Sequence, residues 1–185
     1  MTVNEQSRAE HRNFQIMLHL ISLQARMSAP HDPSACRFLA NAVLYLQKFS
    51  DGIHHEREWL LLCKLMVAEP SMVTTCQRLE LLRQGLRRTE IEMQSLVARA
   101  KEGDEDACEQ VRDLVVRYRE DFIAYITLEE DVAFPAAEAA FTAEDWKELS
   151  DRYAQVRDPI FDRESLMEFS SPYDAIMAFD GGALD

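Results

Sequence analysis

The fold is decided by a helical stretch at residues 34–68, which reads SACRFLANAVLYLQKFSDGIHHEREWLLLCKLMVA. Its apolar residues recur mostly at steps of three and four, interrupted at Gly52, and this spacing predicts one long amphipathic helix. Inside it stand His54 and Glu58, which share a helix face because they are four residues apart. The stretch therefore predicts a helix that presents an imidazole and a carboxylate to one metal ion, or a simple helix-stabilising pair.

Similar apolar spacing predicts three more long helices, at residues 4–27, 71–101 and 104–135, and a short fifth helix at residues 142–156. Asp104 has the place of an N-cap, directly after Gly103. No segment shows the alternating pattern of a strand. The sequence predicts an all-α protein, an antiparallel four-helix bundle with a short extra C-terminal helix and a tail. We place the bundle and the fifth helix at residues 1–157 and a C-terminal extension at residues 158–185.

Composition narrows the range of partners. The 185 residues are 47% hydrophobic and 29% charged, and the net charge is −13. Nucleic acids and anionic membranes bind clustered Lys and Arg, so this acidic chain is not expected to bind either. No run approaches the ~20 apolar residues of a membrane-spanning helix. The four cysteines form no CxxC pair and indicate reduced thiols, so we expect a cytoplasmic protein.

A second motif repeats the spacing of the first. Tyr125 and Glu129 lie four residues apart, and each follows its counterpart, His54 or Glu58, by 71 residues. His11 on the first helix adds another imidazole. Side chains that project inward from facing helices of a bundle can hold a metal, and imidazole with carboxylate suits iron, manganese or zinc.

Three segments together resemble the hemerythrin-like, or HHE cation-binding, family. They are EHRNF at residues 10–14, HHERE at residues 54–58 and YITLEEDVAFP at residues 125–135, with its Phe-Pro ending. The resemblance covers roughly residues 5–141. It implies a four-helix bundle with a non-haem metal site in its centre.

The same resemblance implies a reduced ligand set. The family's di-iron site has five histidines and two bridging carboxylates. Here residues 71–101 contain no histidine, Gln77 stands where one is expected with Glu80 as the nearest carboxylate, and Tyr125 stands at the fourth-helix histidine position. The remaining half-site consists of His11, His54, Glu58 and Glu129. Tyr125, Gln77, Glu130 and Glu80 are further possible ligands.

Other interpretations of single residues stay open at this point. Tyr125 is typical of a bundle core, and Gln77 of a polar core position. Glu56 and Arg57 fall on other helix faces and are predicted to be solvent-side charges. His55 lies about 100° round the helix from His54, which predicts an outer position around the site or the surface.

The sequence thus supports two functional hypotheses. The first is a non-haem metal-binding protein that binds or senses a small ligand such as O2 or NO at a mononuclear or partial site, with iron as the cofactor and manganese or zinc as alternatives. The second is a metal-free regulatory or protein-interaction bundle that has lost the di-iron site and contacts a protein partner or a second copy. An enzyme is the less expected outcome.

Overall fold

The computed structural model describes residues 2–27 and 33–153, which are helical almost throughout. No strand occurs in these two segments. The helices are α1 (Val3–Met27), α2 (Pro33–Tyr45), a π-helical segment (Leu46–His54), α3 (His55–Ala68), a 3-10 turn (Pro70–Met72), α4 (Val73–Lys101), α5 (Glu105–Leu128), a second π-helical segment (Glu129–Ala133), α6 (Phe134–Ala140) and α7 (Ala143–Tyr153). The all-α prediction is confirmed.

The helix boundaries around α4 follow the predicted signals, whereas the fourth helix, predicted to end at residue 135, continues through α6 to Ala140. Asp104 caps α5, since its Oδ1 accepts a hydrogen bond from the Ala107 backbone N–H at 3.1 Å. Gly103 adopts φ 94°, a left-handed conformation that glycine reaches without steric cost, and so ends α4. Pro70 begins the turn before α4, where its missing N–H costs no helical hydrogen bond.

Two long helices each contain a π-helical segment. The first joins α2 to α3 and contains Gly52, so the predicted interruption is a widened turn inside a continuous helix. The second joins α5 to α6. His54 is the last residue of the first segment, and Glu129 is the first residue of the second. π-Bulges occur frequently at functional sites, and both of these lie at candidate metal ligands.

An aromatic core surrounds the histidines. Phe14, Phe49, Phe122 and Phe134 are fully buried. The Phe14 ring lies 5.5 Å from the Phe122 ring and, edge-on, 4.8 Å from the His54 ring. Apolar walls lower the local dielectric constant, so charges inside this core interact more strongly than they would in water.

The short fifth helix, α7, packs against α1 and α3. Lys64 of α3 forms ion pairs with Asp145 at 2.7 Å and Glu148 at 2.9 Å, and Trp146 packs on Phe141 at 5.1 Å. The predicted C-terminal extension, residues 158–185, lies outside the described residues. Within those residues, no helix combines the length and apolar composition that a membrane crossing requires.

Candidate metal centre

Three side chains from two chain segments converge in the core. His11 comes from α1, His54 from the end of the first π-helical segment, and Glu58 from the first turn of α3. Each is at most 1% exposed. Their ligand atoms all lie within 4.8 Å of one another, which is close enough for one ion to contact all three. The structure thus brings together three of the four residues of the predicted half-site.

The Glu58 carboxylate lies between the two imidazoles. His11 Nε2 hydrogen-bonds Glu58 Oε1 at 3.0 Å. His54 Nε2 also lies 3.0 Å from this oxygen, but it has no hydrogen-bond partner among the described residues. Both Nε2 atoms therefore face one carboxylate, as they would around a shared cation.

The Nδ1 atoms of the two imidazole rings also contact carboxylates. His11 Nδ1 is 2.7 Å from Glu130 Oε1, and His54 Nδ1 is 2.6 Å from Glu10 Oε2. When Nδ1 donates a hydrogen bond to a carboxylate, the neutral ring keeps its lone pair on Nε2, which can then bind a metal. A carboxylate–histidine pair of this kind is the usual support of a metal-binding imidazole. The structure therefore contains two such pairs aimed at one point.

Glu129 completes the cluster and is fully buried. Its Oε2 lies 3.5 Å from His11 Nε2 and has no hydrogen-bond partner among the described residues. Its Oε1 accepts a 2.8 Å hydrogen bond from the Tyr125 hydroxyl, which lies 3.3 Å from Glu58 Oε2. Burial, and then the negative charge of Glu58, raise the pKa of Glu129 to about 8. Glu129 thus offers a fourth ligand atom, and the Tyr125 hydroxyl lies within hydrogen-bonding distance of the Glu129 and Glu58 carboxylates.

Charge pairing shifts the pKa values of the other ligands. Burial alone would lower the pKa of His11, but the charge of Glu58 and the neighbouring Glu129 and Glu130 carboxylates raise it well above 6.5. Burial is the largest single effect on His54 and lowers its pKa, but the charge of Glu58 and the hydrogen bond to Glu10 contribute to a combined effect that raises it. The pKa of Glu58 lies well below 4.5, since the two imidazolium charges outweigh its burial. Without a metal, the cluster is held by imidazolium–carboxylate pairs.

Two of the further possible ligands lie away from the cluster. Gln77 is exposed, so its predicted place in the polar core is wrong. Glu80 pairs with Arg83 at 2.8 Å and has no ion pair with His11 or His54 among the described residues. Glu130 does contact the cluster, but at Nδ1 of His11, where it supports the ring instead of facing the ion.

Near His54, the prediction for Arg57 is also wrong, and of the two positions predicted for His55 the surface one is excluded. Arg57 is not a solvent-side charge: it is 7% exposed and its Nη2 donates to Glu10 Oε2 at 2.5 Å. His55 is 1% exposed, and neither ring nitrogen has a hydrogen-bond partner among the described residues. Burial is the main reason that the pKa of His55 falls to about 3. Glu56 is exposed, as predicted.

Sequence reasoning assigned no role to Glu10. It directly precedes His11, but its carboxylate contacts the histidine of another helix, His54. The available signal was a charged residue on the apolar face of α1, four residues before Phe14. A buried charge at such a position is expected only when a partner neutralises it.

The donor set fits a transition metal. Two imidazole nitrogens and two carboxylates suit iron, manganese or zinc, whereas a thiolate-rich set would favour a structural zinc site. His54 Nε2 and Glu129 Oε2 are buried polar atoms without a hydrogen bond among the described residues, and a bound cation would satisfy both once they are deprotonated.

Comparisons with family models, curated proteins and solved structures gave no match to this chain. The structure establishes an all-helical protein with a buried His11–His54–Glu58 group that could bind a metal.

Proposed function

We propose that this chain is a hemerythrin-like, antiparallel four-helix bundle that binds one metal ion through His11, His54, Glu58 and Glu129. The proposal rests chiefly on the two imidazoles, each held at Nδ1 by a carboxylate and facing Glu58 with Nε2. Iron is the first candidate, with manganese and zinc as alternatives. A small ligand such as O2 or NO would bind at a coordination position that the protein leaves open.

Charge balance supports a single divalent ion. Glu58 and Glu129 together supply two negative charges, and neutral His11 and His54 add none, so a divalent ion makes the set neutral. An isolated charge in an apolar interior is costly, and a neutral assembly avoids that cost. Bound iron would supply redox chemistry and an electron-rich partner for a small π-accepting ligand; the protein supplies the dry, aromatic-walled core around it.

The di-iron site of the family that this chain resembles has a second metal position, and the histidines that would form it are absent here. Tyr125 occupies the fourth-helix position and uses its hydroxyl to hold Glu129 and Glu58. On α4, Gln77 faces outward and Glu80 pairs with Arg83. We therefore expect one ion per chain and no oxygen-bridged pair of ions.

Metal analysis of the purified chain tests the proposal. We expect about one tightly held ion per chain, lost in a His54→Ala variant and kept in a Gln77→Ala control. At 100 times its dissociation constant, the metal should stabilise the folded state by about 2.7 kcal/mol, because it binds only that state. For a chain of this size that corresponds to a rise in melting temperature of roughly 5–10 °C. Wild-type protein that neither retains nor is stabilised by Fe(II), Mn(II) or Zn(II) contradicts metal binding.

A metal-free regulatory or protein-interaction bundle is the second candidate. One observation favours it: His11 and His54 already form ion pairs with Glu58 and with their outer carboxylates, so most of the cluster is neutralised without an ion. This candidate predicts that His54→Ala lowers the stability of the metal-free protein and that added metal changes neither protein's melting temperature.

A further inference from the structure

One side of the candidate metal site continues into a buried chain of charges. Arg57 Nη2 lies 2.5 Å from Glu10 Oε2, and the same oxygen lies 2.6 Å from His54 Nδ1. The Arg57 and Glu10 side chains are only 8% and 7% exposed. The guanidinium also lies over the Phe49 ring, 5.8 Å from its centroid. Arg57 is thus held by a charge and by an aromatic face.

A buried pair of an arginine and a glutamate need not stabilise the fold, because both charges lose their hydration. Replacing such a pair with apolar residues is often neutral or stabilising, so a buried ion pair is weak evidence of a stability role alone. Here the shared atom, Glu10 Oε2, also contacts a proposed metal ligand. The pair therefore has a second task at His54, where the orientation of the ring determines which nitrogen faces the cluster.

We propose that Arg57 is a positioning residue of the metal site: it holds Glu10 against His54 Nδ1 and thereby keeps His54 Nε2 directed at the ion. This inference rests on the proposed function. It adds a residue, Arg57, that acts through Glu10 on the geometry of one ligand, His54. An arginine suits the task, because its planar guanidinium keeps a carboxylate in a defined orientation.

The other imidazole provides an internal comparison. Glu130, which contacts His11 Nδ1, has a side chain that is 31% exposed, compared with 7% for Glu10. Water competes for a partly exposed carboxylate, so its hold on a ring is weaker than that of a buried one. The His54 side should therefore define the ligand geometry more strictly than the His11 side.

Cobalt(II) titration tests the role of Arg57, since the visible absorption of Co(II) reports the number and arrangement of its ligands. The variants are Arg57→Gln, Arg57→Lys and the double variant Glu10→Gln/Arg57→Gln, which leaves no unpaired buried charge and so guards against misfolding. Arg83→Gln is the matched control, because Arg83 is also a largely buried arginine that pairs with carboxylates, Glu80 and Glu56, but away from the cluster.

We expect Arg57→Gln and the double variant to bind Co(II) roughly 10- to 100-fold more weakly, the range seen when outer partners of metal ligands are removed. Their Co(II) spectra should change shape at saturation, and Arg57→Lys should recover part of the affinity. Arg83→Gln should keep the wild-type affinity and spectrum even if its melting temperature falls. Wild-type affinity and spectrum in Arg57→Gln would overturn the inference while leaving the proposed function intact, and the same result in the double variant would do so if Arg57→Gln does not fold. Absence of Co(II) binding to the wild type would overturn both.

Discussion

Replacement of Glu90 by glutamine should stabilise the protein in a pH-dependent way. Glu90 lies on α4, is 1% exposed, and accepts a hydrogen bond from the Tyr118 hydroxyl at Oε1, while its Oε2 has no hydrogen-bond partner among the described residues. Burial is the main reason that the pKa of Glu90 rises from 4.5 to about 8, against the opposing effect of the Tyr118 hydrogen bond. The pair is separate from the proposed ligands, so the prediction does not depend on a metal.

The direction of this pH dependence follows from the linkage between proton binding and folding. Between pH 4.5 and 8 the folded chain holds a proton on Glu90 that the unfolded chain has lost. Stability contributed by the protonated group is therefore complete below pH 4.5 and decreases as the pH rises, at about 1.4 kcal/mol per pH unit. At pH 7 the loss amounts to about 3 kcal/mol, to order of magnitude. A glutamine cannot ionise, and its amide oxygen still accepts from Tyr118, so Glu90→Gln should avoid that loss.

Urea unfolding at several pH values from 4.5 to 8 measures the effect. The free energy of unfolding of Glu90→Gln minus that of the wild type should grow with pH, and titrations shared by both proteins cancel in the difference. Glu92→Gln, at an exposed position two residues further on, is the control and should show a difference near zero throughout. A Glu90→Gln difference that stays constant across this range would refute the reasoning.

Three further predictions concern the metal cluster and its neighbour. Tyr125→Phe removes the donor to Glu129 Oε1 and should lower the free energy of unfolding of the metal-free protein by about 1–3 kcal/mol, measured in urea. An unchanged value would show that the hydroxyl does not stabilise the two carboxylates. Folded-state burial lowers the pKa of His55 from 6.5 to about 3, so the unfolded chain binds the extra proton and stability falls as the pH drops below 6.5. His55→Leu should lessen this acid sensitivity in thermal melts between pH 4 and 7, and equal slopes for the two proteins would count against it. The pKa values of His11 and His54 are raised, so a metal must displace protons from them and the affinity for Zn(II) should increase with pH. Calorimetry in buffers of different ionisation enthalpy should detect the released protons. Binding without proton release would contradict the protonated state of the two histidines in the metal-free protein.

Local patterns determined most of the secondary structure. Apolar spacing and terminal signals such as Asp104 and Gly103 act over a few residues, and the predicted end of α4 and start of α5 are those observed. The π-helical segments were not predictable in this way, since Gly52 signals an interruption but not whether the helix breaks or widens. That choice depends on packing against neighbouring helices, a property of the folded protein.

The sequence by itself determined the helices and which residues, His11, His54 and Glu58, could meet as ligands, because i,i+4 spacing places two of them on one helix face. Only the tertiary structure decided the surroundings of those ligands. Glu10 and Arg57 are far from each other in the chain, and only the fold brings Arg57 Nη2 to Glu10 Oε2 and Glu10 Oε2 to His54 Nδ1. The reason is physical: helical periodicity is a local property that the sequence displays directly, whereas burial and charge pairing depend on which helices become neighbours.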